Sequence, residues 1–126
     1  MSARQVLVVD DDDAIREVAQ MSLELVGGFT VRTASSGLQA WEMIHRDAPD
    51  ALLLDVMMPG MDGPTLLAQL RTDPETSGIP IIFLTAKVQA GDRPDWDALQ
   101  ITGVIAKPFD PMKLPADISR LLGWGP

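Results

Sequence analysis

Residues 51–64 run Ala51-Leu52-Leu53-Leu54-Asp55-Val56-Met57-Met58-Pro59-Gly60-Met61-Asp62-Gly63-Pro64. The opening apolar run has no polar alternation, which predicts a strand buried on both faces. It stops at a carboxylate, Asp55. Pro59, Gly60 and Gly63 then break the chain into a loop over Val56 to Gly63. Pro64 suits the first turn of a helix carrying Leu66, Leu67 and Leu70. A doubly buried strand followed by a short loop and a helix is the repeating unit of a parallel α/β sheet.

The same unit recurs on either side. Upstream, Gln5 to Val9 predicts a buried strand that stops at Asp10-Asp11-Asp12-Asp13. A helix follows, with Ile15, Val18, Ala19, Ser22, Leu23 and Val26 on one side. Asp12 or Asp13 caps it, and Gly27-Gly28 ends it. Phe29 to Thr33 is a second strand. Ser35 or Ser36 caps a helix through Ala40, Trp41 and Ile44 that stops before Pro49. Downstream, Ile79 to Leu84 is a fourth strand, followed by Thr85. A short helix is expected near Arg93 to Gln100. Gly103 to Ala106 is a fifth strand, ending at Lys107-Pro108, and a last helix runs from about Pro111 to Leu122. The order is (βα) five times over a single domain, residues 1–126, with a parallel sheet covered by helices on both faces.

In open parallel sheets the ligand crevice lies beyond the carboxyl ends of the strands. There the expected strand ends bring together Asp10-Asp11, Asp55, Thr85 and Lys107: three carboxylates, one hydroxyl and one ammonium. Carboxylates so close disfavour joint ionisation, and a hard divalent cation removes the conflict. Magnesium prefers oxygen ligands and commonly bridges carboxylate to phosphate. Asp11 and Asp55 suit direct ligation, Asp10 direct or water-mediated contact, and a backbone carbonyl after Asp55 can add another ligand. A carboxylate beside such a metal can attack phosphorus and form an aspartyl-phosphate. Lys107 can then pair with one phosphoryl oxygen and the Thr85 hydroxyl can donate to another.

Bulk properties exclude other classes. At 126 residues the chain has the usual size of one domain. It has no cysteine, which removes disulfides and thiolate metal sites. A cytoplasmic location fits the lack of cysteine. No apolar run approaches the ~20 residues of a membrane span, so membrane insertion is not expected. The net charge is −8 with Lys and Arg scattered, which argues against direct nucleic-acid binding.

Four stretches in order, "VLVVDDD" (6–12), "LLLDVMMPGMDG" (52–63), "IPIIFLTAK" (79–87) and "KPFDP" (107–111), resemble the receiver domain of bacterial two-component response regulators. The resemblance covers essentially the whole chain. It implies a flavodoxin-like fold with strand order 2-1-3-4-5. It implies Asp55 as phosphoacceptor, with Asp10 and Asp11 as the acidic pair and Asp11 the closer magnesium ligand. The Met57 backbone carbonyl would complete the magnesium set, and Thr85 and Lys107 would sense the phosphoryl group. The Lys107–Pro108 bond is expected to be cis. The implied donor is a sensor histidine kinase or histidine phosphotransfer protein. The implied output is a downstream protein reading the face of helix four, strand five and helix five, from a monomer or weak phosphorylation-dependent dimer. The resemblance implies no enzymatic turnover beyond the domain's own phosphorylation and dephosphorylation.

Two departures bear on that output. Receivers usually carry Tyr or Phe three residues before the lysine, where this chain has Val104. The usual Gly-Ala entering strand five is Gln100-Ile101. The expected fourth helix contains Pro94 and Trp96, and Trp96 is a candidate for the partner face. Lys87 and Met57, each two residues beyond a site residue, are placed to tune water access. His45 reads as a surface residue. One rival reading is a receiver-like interaction module that has lost its phosphorylation, kept open by Val104 but opposed by the full set of site residues. Another is a haloacid-dehalogenase-type phosphatase, which needs Asp-x-Asp-x-Thr/Val after strand one. Here that last position is Ala14, and Asp55 would have no role.

Overall fold

Each of the long apolar runs feeds two hydrophobic layers at once. The computed structural model describes residues 4–86 and 100–124. Its strands are β1 (Gln5–Val9), β2 (Thr30–Ala34), β3 (Ala51–Asp55), β4 (Ile81–Thr85) and β5 (Gly103–Ala106). They form one parallel sheet in the order β2-β1-β3-β4-β5. Successive strand residues point to opposite faces. On one face Leu7, Val9, Leu52, Leu54, Ile81 and Phe83 pack under α2 (Gly37–Arg46) and α3 (Gly63–Thr72). On the other, Val6, Val8, Leu53, Ile82 and Leu84 pack under α1 (Asp13–Met21) and α4 (Leu114–Leu122). Both faces are dry, which is why none of these strands alternates in polarity. The fold is the flavodoxin-like one that the resemblance to receiver domains implied.

Caps decide where the helices begin. Asp12, not Asp13, caps α1: its Oδ1 accepts from the Ala14 and Ile15 amides at 2.9 and 3.3 Å. Asp13 instead pairs with Arg16. Ser36 caps α2 through the Gln39 amide, and Asp62 caps α3 through the Thr65 amide. Beyond Met21 the α1 helix widens into a π-helical turn, Ser22–Val26. Ser22 and Leu23 stay buried, but Val26 is turned outward and is 47% exposed. Val18, also expected on the buried side, is half exposed at the mouth of a surface cavity.

Three expected boundaries shift, each for a local reason. β2 starts at Thr30 because the Phe29 amide donates to the Leu23 carbonyl at 3.0 Å, outside the ladder, while its ring meets Trp124 edge-on, ring centres 5.6 Å apart. β4 starts at Ile81, since Pro80 has no N–H to donate; its carbonyl still accepts from Leu52 at 3.0 Å. α4 starts at Leu114 rather than Pro111, because Asp110 folds the intervening residues into a turn. Its carboxylate accepts from the Met112 amide, and its carbonyl from the Lys113 and Leu114 amides. The expected helix near 93–100, Pro94 and Trp96, and Lys87 all lie outside the described residues. Among those described, no helix is long and apolar enough to cross a membrane.

Arg71, on α3, fastens the approach to β5. Its guanidinium donates to the carbonyls of Ser77, Ile79 and Gln100 at 3.1, 2.9 and 3.2 Å. Burial lowers its pKa. Gln100 stands in the left-handed region, at φ 58°, a conformation that costs a non-glycine residue roughly 1–2 kcal/mol. The Gln100-Ile101 entry to β5 is thus a strained turn tied down by a neighbouring helix.

His45 is more than a surface residue. Its Nδ1 lies 2.8 Å from the Trp41 carbonyl and its Nε2 2.9 Å from Asp73 Oδ2, so it clips the end of α2 to the end of α3. The Trp41 carbonyl foremost, then Asp73, raises the His45 pKa above its ordinary 6.5. His45 in turn lowers the Asp73 pKa below 3.8. The histidine's contribution is fully present below its unfolded pKa and is lost as pH rises through the folded one. The aspartate's is present above its unfolded pKa and is lost as pH falls through the folded one. The clip is therefore strongest between about pH 4 and pH 6.5. Replacing His45 by Gln is expected to lower Tm more at about pH 5.5 than at about pH 8; equal losses in thermal melts at both would contradict it.

Candidate functional site

Parallel register sets the candidate residues side by side. Val9 pairs with Leu54, Asp55 with Leu84, and Thr85 with Ala106. Asp10 follows β1, Asp55 and Thr85 end β3 and β4, and Lys107 follows β5, so all four emerge at one edge. Asp10, Asp55 and Thr85 are almost fully buried, at 0%, 3% and 4% exposure. Asp11 is exposed. One ligand oxygen from each of Asp10, Asp11 and Asp55 lies within 4.8 Å of the others. Thr85 contributes to the geometry through its backbone as well: its carbonyl accepts from the Lys107 amide at 2.9 Å.

Lys107 does more than wait at the rim. Its Nζ donates to Asp55 Oδ1 at 2.9 Å and sits 2.9 Å from Asp10 Oδ2. Burial opposes its charge, but hydrogen bonds and attraction from the two carboxylates outweigh it and raise its pKa. Asp55 is pulled both ways. Burial is the largest influence and raises its pKa to about 6, with the Asp10 charge adding to the rise. The Lys107 hydrogen bond and charge and the Met57 amide act against it. Asp55 is thus a carboxylate that holds its charge reluctantly, beside a cation that can follow it.

The donor set fits a hard divalent cation. All three side chains are carboxylates, as magnesium prefers. Asp10 Oδ1 accepts from the Asp12 amide at 2.9 Å. Asp10 Oδ2 is buried and has only the ionic contact with Lys107, without hydrogen-bond geometry. A buried carboxylate oxygen whose one contact is this ammonium has ligating capacity to spare for a metal ion. Met57 is 78% exposed; its amide points to Asp55.

Some of what shapes the site was not legible as function. Gly63 read only as a loop breaker. A Cβ there would stand 2.5 Å from the Asp55 carbonyl oxygen and 3.0 Å from Val56 Cα, so a side chain would displace the acceptor's own backbone. Gly37, the first residue of α2, plays the matching part from the neighbouring helix: a Cβ there would stand 2.6 Å from the Met61 carbonyl. The close approach of two chain segments, not turn conformation, demands glycine at both. The Lys107–Pro108 bond is cis. Val104 is half-buried against the α2–α3 side of the core. It lines an open cleft of about 280 Å³ with Ile105, Phe109, Asp117 and Arg120.

Comparisons with known proteins agree with this geometry. The family described as the response regulator receiver domain matches residues 6–119. A curated relative, the response regulator MprA of Mycobacterium ulcerans, is 43% identical over 97% of this chain and 51% of its own length. The response regulator Rre1 of Synechocystis is 37% identical over 92% of this chain and 50% of its own. The response regulator PleD of Caulobacter vibrioides is 41% identical over 96% of this chain and 26% of its own. The chain thus spans about half or less of the length of these relatives. Among solved structures, the chemotaxis response regulator CheY4 of Vibrio cholerae superposes with a TM-score of 0.89 at 29% identity, covering 95% of this chain and 99% of that one. The N-terminal domain of a response regulator receiver protein from Methanoculleus marisnigri superposes with a TM-score of 0.77 at 37% identity, covering 94% and 95%.

Proposed function

The chain belongs to the response regulator receiver domain family, and on that footing we propose that it is a switch set by phosphorylation of Asp55. The observation that carries the reading is the position of the buried Asp55 carboxylate, 2.9 Å from the Lys107 ammonium and within 4.8 Å of the Asp10 and Asp11 ligand oxygens. Residues 1–126 act as one receiver domain.

An Asp55 oxygen attacks phosphorus, the bond from phosphorus to the donor nitrogen breaks, and the donor imidazole leaves with the electron pair and takes up a proton. Asp10, Asp11 and Asp55, with the Met57 carbonyl, are the residues that would hold magnesium, which supplies charge neutralisation for the phosphoryl oxygens. Lys107 exchanges its contact with Asp55 for a phosphoryl oxygen. The Thr85 hydroxyl donates to another. The donor is a sensor histidine kinase or histidine phosphotransfer protein in the cytoplasm. An apolar cavity of about 430 Å³, lined by Ala14, Ile15, Val18, Ala86, Pro108 and Phe109 and opening beside Lys107, gives it a seat. The output is a downstream protein that reads the face of β5, α4 and the preceding segment, where Val104 carries no ring to report the change. The phosphorylated domain acts as a monomer or weak dimer.

The test is a comparison of amide NMR spectra before and after acetyl phosphate with magnesium. Shifts are expected at Thr85, Lys107 and across β5 and α4, reversing as the acyl-phosphate hydrolyses. Shifts confined to the metal ligands would overturn the switch.

A further inference from the structure

The loop after Lys107 has an anchor that no step above uses. Lys107 is tied on its upstream side by the hydrogen bond its backbone N–H donates to the Thr85 carbonyl. Downstream, Asp110 organises Met112, Lys113 and Leu114 into the start of α4, all within the loop itself. Among the described residues, the Ser22 hydroxyl, just past the end of α1, ties into 108–113 by a hydrogen bond, donating to the Pro111 carbonyl. Ser22 itself is 4% exposed, so its hydroxyl is held on the inner side of the helix, and the bond is partly shielded from water.

Its position is set by the π-helical turn. Ser22 opens that turn, and its carbonyl accepts from Gly27, five residues on, at 3.3 Å. Such wide turns are uncommon and cluster at functional sites. Here the turn keeps Ser22 and Leu23 facing inward while Leu25 and Val26 face out. The buried hydroxyl thereby lies against the loop rather than along the outer face of the helix.

We infer that Ser22 is a positioning residue for Lys107: through the Pro111 carbonyl it fixes the loop that sets the ammonium between Asp10 and Asp55. The lysine stem is long and flexible, and its head must meet two carboxylates at 2.9 Å. Holding that geometry requires the backbone four residues downstream to be still. Without the serine the Pro111 carbonyl loses its tie to the helix, and the loop gains freedom to draw away from α1. The inference rests on the reading of Lys107 as the group that follows the phosphoryl oxygen, but its structural half can be measured alone.

The experiment compares wild type, Ser22→Ala and Ser22→Thr. Acetic anhydride labelling is followed by peptide mass spectrometry, with the exposed Lys113 as internal standard. In Ser22→Ala the Lys107 to Lys113 labelling ratio is expected to rise about fivefold, the population shift that one lost hydrogen bond allows. Ser22→Thr, which keeps the hydroxyl, is expected to return it toward wild type. The rate of phosphorylation by acetyl phosphate should fall and recover in step. An unchanged labelling ratio in Ser22→Ala overturns the inference, whatever happens to Tm. A raised ratio in a protein whose wild type accepts no phosphate leaves the brace standing and removes the phosphoacceptor reading instead.

Discussion

Replacing Lys107 by Gln is expected to destabilise the magnesium-free protein at pH 8 by about 3 kcal/mol, the usual penalty for leaving a buried charge without its partner. Lys107 is the cation between Asp10 and Asp55, with 2.9 Å contacts to both. Without it, both carboxylates stay buried with no counter-charge. The sign of the pH dependence follows from Asp55. Lys107 acts to lower the Asp55 pKa, which burial has already raised to about 6. Removing Lys107 lifts that pKa further, so the variant's deficit is largest above it and shrinks as pH falls and Asp55 takes up a proton. Urea unfolding in chelator at about pH 8 and about pH 5 measures the difference. Equal midpoints for variant and wild type at the higher pH would contradict the account. The same substitution should slow phosphorylation about a hundredfold or more, since a preorganised charge aimed at the reacting oxygens is lost.

Asp55→Asn is expected to do the opposite to stability. A carboxyl whose folded pKa is raised contributes fully below its unfolded value, here 3.8, and loses that contribution as pH rises through about 6. At about 1.4 kcal/mol per pKa unit, keeping Asp55 charged at pH 8 costs the metal-free protein up to about 3 kcal/mol. Asparagine carries no charge but makes a weaker bond to Lys107, so the net gain is expected at about 1–2 kcal/mol. The gain should disappear below about pH 4, where Asp55 is neutral as well. Magnesium should raise Tm in wild type and do so much less in the variant. A variant less stable than wild type at pH 8 in chelator would mean that Asp55 is a structural partner of Lys107 and not a strained acceptor. The functional reading predicts strain because a nucleophile must be ready to give up its contact with Lys107.

The architecture was legible because its signal is redundant. Five apolar runs, each closed by a turn or a charged residue, place strands, and parallel connectivity then aligns their ends. Asp10, Asp55 and Lys107 were legible for the same reason: each stands directly at a strand's carboxyl end. The relations among side chains were not. Nothing in the order of residues says that Lys107 bridges Asp10 and Asp55 before any phosphoryl group arrives, because that depends on how far the β5–α4 loop folds back. Ser22 looked like one more residue on the inner side of a helix, since a π-helical turn has no sequence signature as plain as a cap or a proline. Gly63 looked like a breaker because its constraint comes from the Asp55 backbone across the loop. The ties that Arg71 and His45 make between elements were not legible, because their distant partners, Gln100 and Asp73, lie 29 and 28 residues away. The late starts of β4 and α4 trace to Pro80 and Asp110, local effects that override apolar pattern by only two or three residues.

The most direct measurement is intact mass after incubation with acetyl phosphate and magnesium, for wild type and Asp55→Asn. The account predicts one added phosphoryl group on wild type, acid-stable and base-labile, and none on the variant. The same added mass on both proteins, or none on wild type even with a phosphorylated histidine donor present, would contradict it.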